Sequence, residues 1–447
     1  MFGKEVNYEI VPVDISNRLF YDTFAGEEMS FDVCYNFELH EKLDRSALSN
    51  ATQKALQNFP EFAIRPVIHN NEVWAIPNQN PIPLLEDEPK KIRCYATEET
   101  GGYLFLFRCR EKGFSFAYFH GMTDFYGAWH FLRTIFYYYA LEKGLPVQPD
   151  EFVRLAPDAG APENETERYD PYANFAQSIE DNATNEKKPV ADVFEIPETY
   201  YGKETPYSFG YEIHCPLKDF LRKVKEYNSS VAPFLAAFTG KAIADSYEWD
   251  GTPISFMVSA NMRKYYETNT MMNFSDATVL SYDKTLAALT MEEQAARLRQ
   301  DFKKQLTKEH FDPIIAQKTQ FVRGFSGQDV SITEWNRRFT KQPGEGVKPP
   351  MTVALTYPGS LDMPKEYNPL LKEVTRSLCS LGVNVSFCVF TSTYGDTMYI
   401  CSCQRFDSDA VMQRILKGLL NAGLSAKMTA LERYYGNRII ADRLQHI

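Results

Sequence analysis

Apolar and polar residues alternate through 31–40, the period of a strand with one buried face. Asp44 then stands where an N-cap would, and the helix it opens runs to about Asn58, stopped by Pro60. Short strands follow at 63–69 and 72–76. Residues 104–110 and 114–119 read as a hairpin turning at Glu111-Lys112-Gly113, and its second strand runs straight into His120. From Tyr126 to Leu141 the period changes. Trp129, Leu132, Ile135, Phe136 and Tyr139 recur at helical spacing and predict an amphipathic helix.

Residues 144–201 differ from what precedes them. Pro, Asp, Glu, Asn and Ala dominate and apolar periodicity is poor, the signature of a crossover or linker. The expected organisation is a first lobe at 1–150, a crossover at 151–204 and a second lobe at 205–447. The second lobe opens with a strand at 207–215, helices at 217–227 and 232–247, and a strand at 253–260. Residues 276–282 are strand-like and 291–307 form a long amphipathic helix. A strand at 351–356 and a hairpin of 383–391 with 397–404 come later. Asp407 or Asp409 then caps a helix to about Asn421. Strands and helices do not strictly alternate. The pattern therefore predicts an α/β chain with α+β-type mixed sheets rather than a doubly wound one.

The 447 residues are 44% hydrophobic and 24% charged, ordinary for a globular protein. A net charge of -11 counts against nucleic acid or an anionic membrane as the main partner, since both require a basic surface. The eight cysteines contain no C-x-x-C pair, so neither a disulfide framework nor a metal site is expected. The first ten residues lack the long apolar core of a signal peptide, and no apolar run approaches the length of a membrane span. A cytoplasmic setting is the expectation. Walker A and G-x-G-x-x-G patterns are missing, which leaves nucleotide hydrolysis and Rossmann-type redox chemistry without support.

The candidate chemistry lies at His120-Gly-Met-Thr-Asp124, where the strand gives way to the helix. A neutral imidazole there can take a proton near neutral pH. An aspartate four residues on suits a helix N-cap. His130, inside the helix, reads as a helix-face residue.

Three later segments join this one. They are Val258-Ser-Ala-Asn-Met-Arg263, Met272-Asn-Phe274 and Thr356-Tyr-Pro-Gly359. With Phe119-His-Gly-Met-Thr-Asp124 they resemble, in order and over nearly the whole chain, the chloramphenicol-acetyltransferase-like superfamily and its H-x-x-x-D motif. That group includes alcohol O-acyltransferases, plant acyltransferases of the BAHD type and peptide-synthetase condensation domains. The likeness is greatest to bacterial alcohol acetyltransferase-like proteins.

The resemblance implies two lobes with an active-site channel between them. His120 would be the general base for transfer from acyl-CoA, a co-substrate, to a hydroxyl or amine acceptor, with no bound cofactor. Asp124 would pair with an arginine and shape the histidine loop. Arg263 is the partner implied by its motif, with Arg18 the alternative. Asn261 and Asn273 fall at positions expected to bind substrate. A condensation-like enzyme would instead take its acyl group from a carrier protein, and a degenerate member would bind a ligand without catalysis. Three positions depart from the pattern: Phe119 replaces the first His of condensation domains, Phe125 replaces a Gly, and Met272 replaces the Gly of G-N-[FY].

Overall fold

The computed structural model describes residues 11–14, 18, 20–21, 25–26, 30–179, 192–197, 206–325, 334, 351–381, 387–431 and 433–447. The first half carries strands β1 (Val11–Pro12), β2 (Ser30–Leu39), β3 (Ile64–His69), β4 (Glu72–Pro77), β5 (Leu84–Glu86), β6 (Phe105–Arg110) and β7 (Gly113–Phe119). The second half carries β8 (Phe209–Pro216), β9 (Ile254–Asn261), β10 (Ser275–Tyr282), β11 (Val353–Thr356) and β12 (Leu371–Leu381). It continues with β13 (Phe387–Tyr394), β14 (Thr397–Gln404), β15 (Lys427–Ala430) and β16 (Gln445–His446).

Three sheets result, ordered β1-β4-β3-β16, β12-β2-β7-β6-β5 and β10-β9-β11-β13-β14-β8-β15. All three are mixed. Most pairs are antiparallel, but β5 with β6, β11 with β9 and β13, and β16 with β3 run parallel. This is the mixed α/β class that the element order predicts.

Register explains why the five-stranded sheet holds the site. Val33, Tyr35 and Phe37 of β2 lie opposite Tyr118, Phe116 and Phe114 of β7, so these rings share one face. The helix Phe125–Glu142 covers that face, with Phe131 edge-on to Phe116 and Phe136 stacked on Phe37. The helix Arg45–Asn58 packs beside it. Its N-cap Asp44 accepts from Ala47 N at 2.9 Å, and the Asp44 N–H donates to Tyr139 of the neighbouring helix. In the seven-stranded sheet a second apolar core forms under the helices Val231–Ser246, Met291–Gln305 and Ala410–Asn421.

The structure departs from the sequence expectations at the crossover and in how the sheets are shared. The 151–204 crossover is not structureless, because Glu165–Tyr169 and Pro171–Ile179 are helical and the second buries Tyr172, Ala176 and Ile179. More consequentially, β12 pairs with β2 along its whole length, and β16 pairs with β3. Strands from the second half therefore complete sheets of the first, so a linear division at 150 and 205 does not follow the sheets. The expected strand at 383–391 is seen from Phe387 onward, and 383–386 lie outside the described residues. Among the described residues no helix is long and apolar enough to cross a membrane.

Candidate active site

Strand β7 ends at Phe119 and the helix begins at Phe125, so residues 120–124 make a short corner. Asp124 is the helix N-cap. Its backbone is extended (φ -95°, ψ -170°) and its carboxylate accepts from Gly127 N at 3.3 Å. The same carboxylate accepts from Arg263 Nη1 at 2.7 Å, Arg263 Nη2 at 3.0 Å and Phe274 N at 2.9 Å. Asp124 and Arg263 thus form a buried, two-pronged ion pair across 139 residues of chain. Arg18, the alternative partner, is not the residue that holds these two oxygens.

Arg263 is itself anchored. It donates to the carbonyls of Thr270 and Met272 at 2.8 and 2.6 Å, and its guanidinium lies 4.4 Å from the Tyr126 ring centroid. Thr123 Oγ1 donates to Met271 O at 2.6 Å. The 120–124 corner and the 270–274 segment are therefore clamped together. Gly127 permits this approach, since a Cβ there would sit 2.1 Å from Met271 O.

His120 follows Tyr118 on the aromatic face. Its ring stacks on Phe20 at 5.1 Å and lies 4.8 Å from Phe31, while its backbone N–H donates to Phe31 O at 2.9 Å. Burial among these rings pushes the imidazole down to about 4. A bond to its own carbonyl and the Asp124 charge oppose that shift, and the Arg376 charge adds to it. At neutral pH the ring is uncharged.

His120 lines a cavity of about 560 Å³. The first half contributes Asp124, Phe125, Tyr126, Trp129 and Phe152 to the walls; the second contributes Asn261, Arg263, Ser275, Tyr357 and Arg376 among others. The hollow thus lies where the two halves meet.

Of the residues singled out in the sequence, His120, Asp124, Arg263 and Asn261 all reach this cavity. Asn261 is exposed at the end of β9, and its Oδ1 accepts from Arg263 N at 3.0 Å. Asn273 is different. It is buried and does not line the cavity; its amide nitrogen lies 3.4 Å from both His120 Nδ1 and His120 O. It is placed to steady the histidine rather than to touch a substrate, because the clamp draws 270–274 behind the corner. His130 is a buried helix residue whose ring bonds Phe152 O at 3.0 Å. Arg376 escaped the sequence reading. Its one signal was a charge set between Val374 and Leu378 on a strand face.

No family model and no curated protein matches the sequence. Solved structures do match. Polyketide synthase associated protein 5 from Mycobacterium tuberculosis superposes with a TM-score of 0.58 at 14% identity, covering 94% of this chain and 98% of that one. The condensation domain from the Monacolin K polyketide synthase MokA gives 0.56 at 11% identity, covering 92% and 96%. F. sporotrichioides TRI101, solved with coenzyme A and T-2, gives 0.56 at 12% identity, covering 96% and 100%. The chain has the chloramphenicol-acetyltransferase-like fold. At these identities the likeness speaks for the fold, the two-lobed condensation and acyltransferase architecture, and leaves the chemistry to the site's own geometry.

Proposed function

We propose that this protein transfers an acyl group from a thioester, acyl-CoA, to a hydroxyl or amine, with His120 as general base. The observation that carries this reading is a neutral histidine on the wall of a cavity between the halves, on a corner clamped by the Asp124–Arg263 pair. The corner departs from the family pattern at Phe125 and Met272, and the clamp forms all the same.

In this mechanism the proton sits on His120 Nδ1 beside the residue's own carbonyl and the lone pair on Nε2, and the Asn273 amide holds the histidine through that carbonyl. Nε2 accepts the proton of the acceptor hydroxyl as its oxygen attacks the acyl carbon. Ser259 and Thr356 stand on the cavity wall and would hold the oxyanion through their hydroxyls, whereas those of Ser275 and Ser360 already donate to Asn273 Oδ1 and Asp362 Oδ2. Collapse breaks the C–S bond, and the imidazolium returns the proton to the thiolate. Both substrates are needed at His120 together, since no acyl-enzyme is invoked. Asp124, with its oxygens already engaged, positions and does not react. TRI101 was solved with coenzyme A, which favours CoA as donor here; Phe119, in place of a second histidine, disfavours the carrier-protein alternative.

The test is thiol release across a panel of acyl-CoAs with alcohols and amines. Acceptor-dependent release supports the proposal. Release independent of any acceptor would make it a thioester hydrolase, and no release across the panel would leave a binding role; either result sinks the proposal.

A further inference from the structure

Arg376 sits near the middle of β12, opposite Tyr35 of β2, on the same face as Val374 and Leu378. Only 7% of it is exposed. Arg93, Arg133, Arg154 and Arg263 are buried as deeply, and each holds a carboxylate. Arg376 holds none. Its Nε and Nη1 are sealed from solvent and have no hydrogen-bond partner among the described residues. The Phe390 ring lies 5.8 Å away. A buried guanidinium without a counter-ion is costly, and this one faces the cavity that holds His120.

The carboxylates that line the cavity do not supply that counter-ion. Asp124 is saturated by Arg263 and two backbone N–H groups. Asp362 is exposed at the rim, and its oxygens accept from Ser360 Oγ and Gly395 N at 2.6 Å each. An anion bound in the cavity would supply the missing charge.

We propose that Arg376 recognises a carboxylate carried by one of the two reactants, as a hydroxy or amino acid acceptor or as a dicarboxylic acyl group. The inference deepens the acyl-transfer reading and rests on it for which group is transferred. A CoA phosphate does not fit the role. The pantetheine arm separates the phosphates from the thioester, whereas Arg376 and His120 share one cavity, roughly 10 Å across for a compact shape of this volume. A planar guanidinium instead suits a planar carboxylate close to the reacting group. The aromatic face around it excludes water and makes that contact selective against neutral analogues.

The experiment has a binding arm and a kinetic arm. In the first, the thermal midpoint is followed with acetate, lactate, 3-hydroxybenzoate, malonate and phosphate, and with methyl lactate as the neutral control. Carboxylates should raise the midpoint and methyl lactate should not. Arg376→Met should abolish the response and Arg376→Lys should keep part of it. If Arg376→Met does not fold, the contrast between lactate and methyl lactate and the Lys variant still decide. In the second arm, thiol release from acetyl-CoA is compared with lactate and methyl lactate as acceptors, and malonyl-CoA is compared with acetyl-CoA on 1-butanol. One of these pairs should favour the charged member, and Arg376→Met should cut that preference by roughly 10²-fold. The pair that responds identifies which reactant carries the charge.

No midpoint shift by any carboxylate, an equal shift in Arg376→Met, or a response to phosphate alone overturns the proposal. Carboxylate binding through Arg376 without thiol release would keep the anion site and remove the transferase reading. Transfer with no preference for charge would do the reverse.

Discussion

Asp124→Asn perturbs the clamp with the least change of shape. The native carboxylate receives four donors: two from Arg263 and the N–H groups of Phe274 and Gly127. An asparagine keeps one acceptor oxygen and turns an NH₂ group toward the other donors. Whichever way the amide lies, two donors then face each other, and Arg263 stays buried without its counter-charge. Removing one partner of a buried pair costs about 3–5 kcal/mol, and that is the expected loss in urea unfolding at pH 7. Arg263→Met should cost a similar amount. The double variant should lose about 2 kcal/mol less than the sum of the two, since each single change already forfeits the pair. Thiol release should fall in kcat with little change in KM for the acyl donor, because the imidazole is displaced while the cavity persists. A loss below about 1 kcal/mol for Asp124→Asn, or strictly additive variants, would refute the claim that this pair holds the histidine corner.

Three further outcomes follow from the same geometry. His120→Ala should lower turnover by about 10²–10⁴ with the far-ultraviolet spectrum unchanged, and near-normal turnover in a folded variant would end its assignment as base. The base works unprotonated and burial pushes it down to about 4, so kcat/KM should stay level from neutral pH down to about pH 5 and fall as pH drops through 4; a midpoint near 6.5 would show an imidazole with ordinary exposure. Gly127→Ala would put a Cβ 2.1 Å from Met271 O and 2.2 Å from Thr123 Oγ1 and should cost about 1–3 kcal/mol by urea midpoint, with no loss counting against the close approach.

Local signals were legible in the sequence, and long-range exchange was not. The helix expected at 126–141 is Phe125–Glu142, and Asp44 and Asp409 stand at the predicted caps, because periodicity and capping are written within a few residues. The helix Pro171–Ile179 was missed although Tyr172, Ala176 and Ile179 carry helical spacing; nine residues among prolines and asparagines gave too short a window. Strand β12 was harder. Its buried face interposes Arg376 between Val374 and Leu378, which breaks the apolar alternation that announces a strand. What holds it is a partner strand more than 300 residues earlier, and no local pattern encodes that pairing. The same strand brings Arg376 to His120, so the most informative site residue missed was missed for a topological reason.

Where the sequence departs from the motif it resembles, the structure makes the same close approach by other residues. Met272 occupies the place of a glycine, yet it is not among the described residues with left-handed backbone, so a side chain is tolerated there. What the corner requires is close approach between the helix start and the 271 carbonyl, and Gly127 provides it two residues after the usual place. Phe125, freed from that task, stacks on Trp129 and becomes part of the cavity wall. Phe119 is likewise packed against Tyr21, a core contact in place of a second imidazole. The clamp and His120 thus stand beside two further rings, Phe119 and Phe125. The cavity that results is aromatic, with one unpaired charge at Arg376. Under the proposed acyl transfer, such a site would keep its chemistry at His120 and draw its selectivity from what the rings exclude and what the arginine attracts.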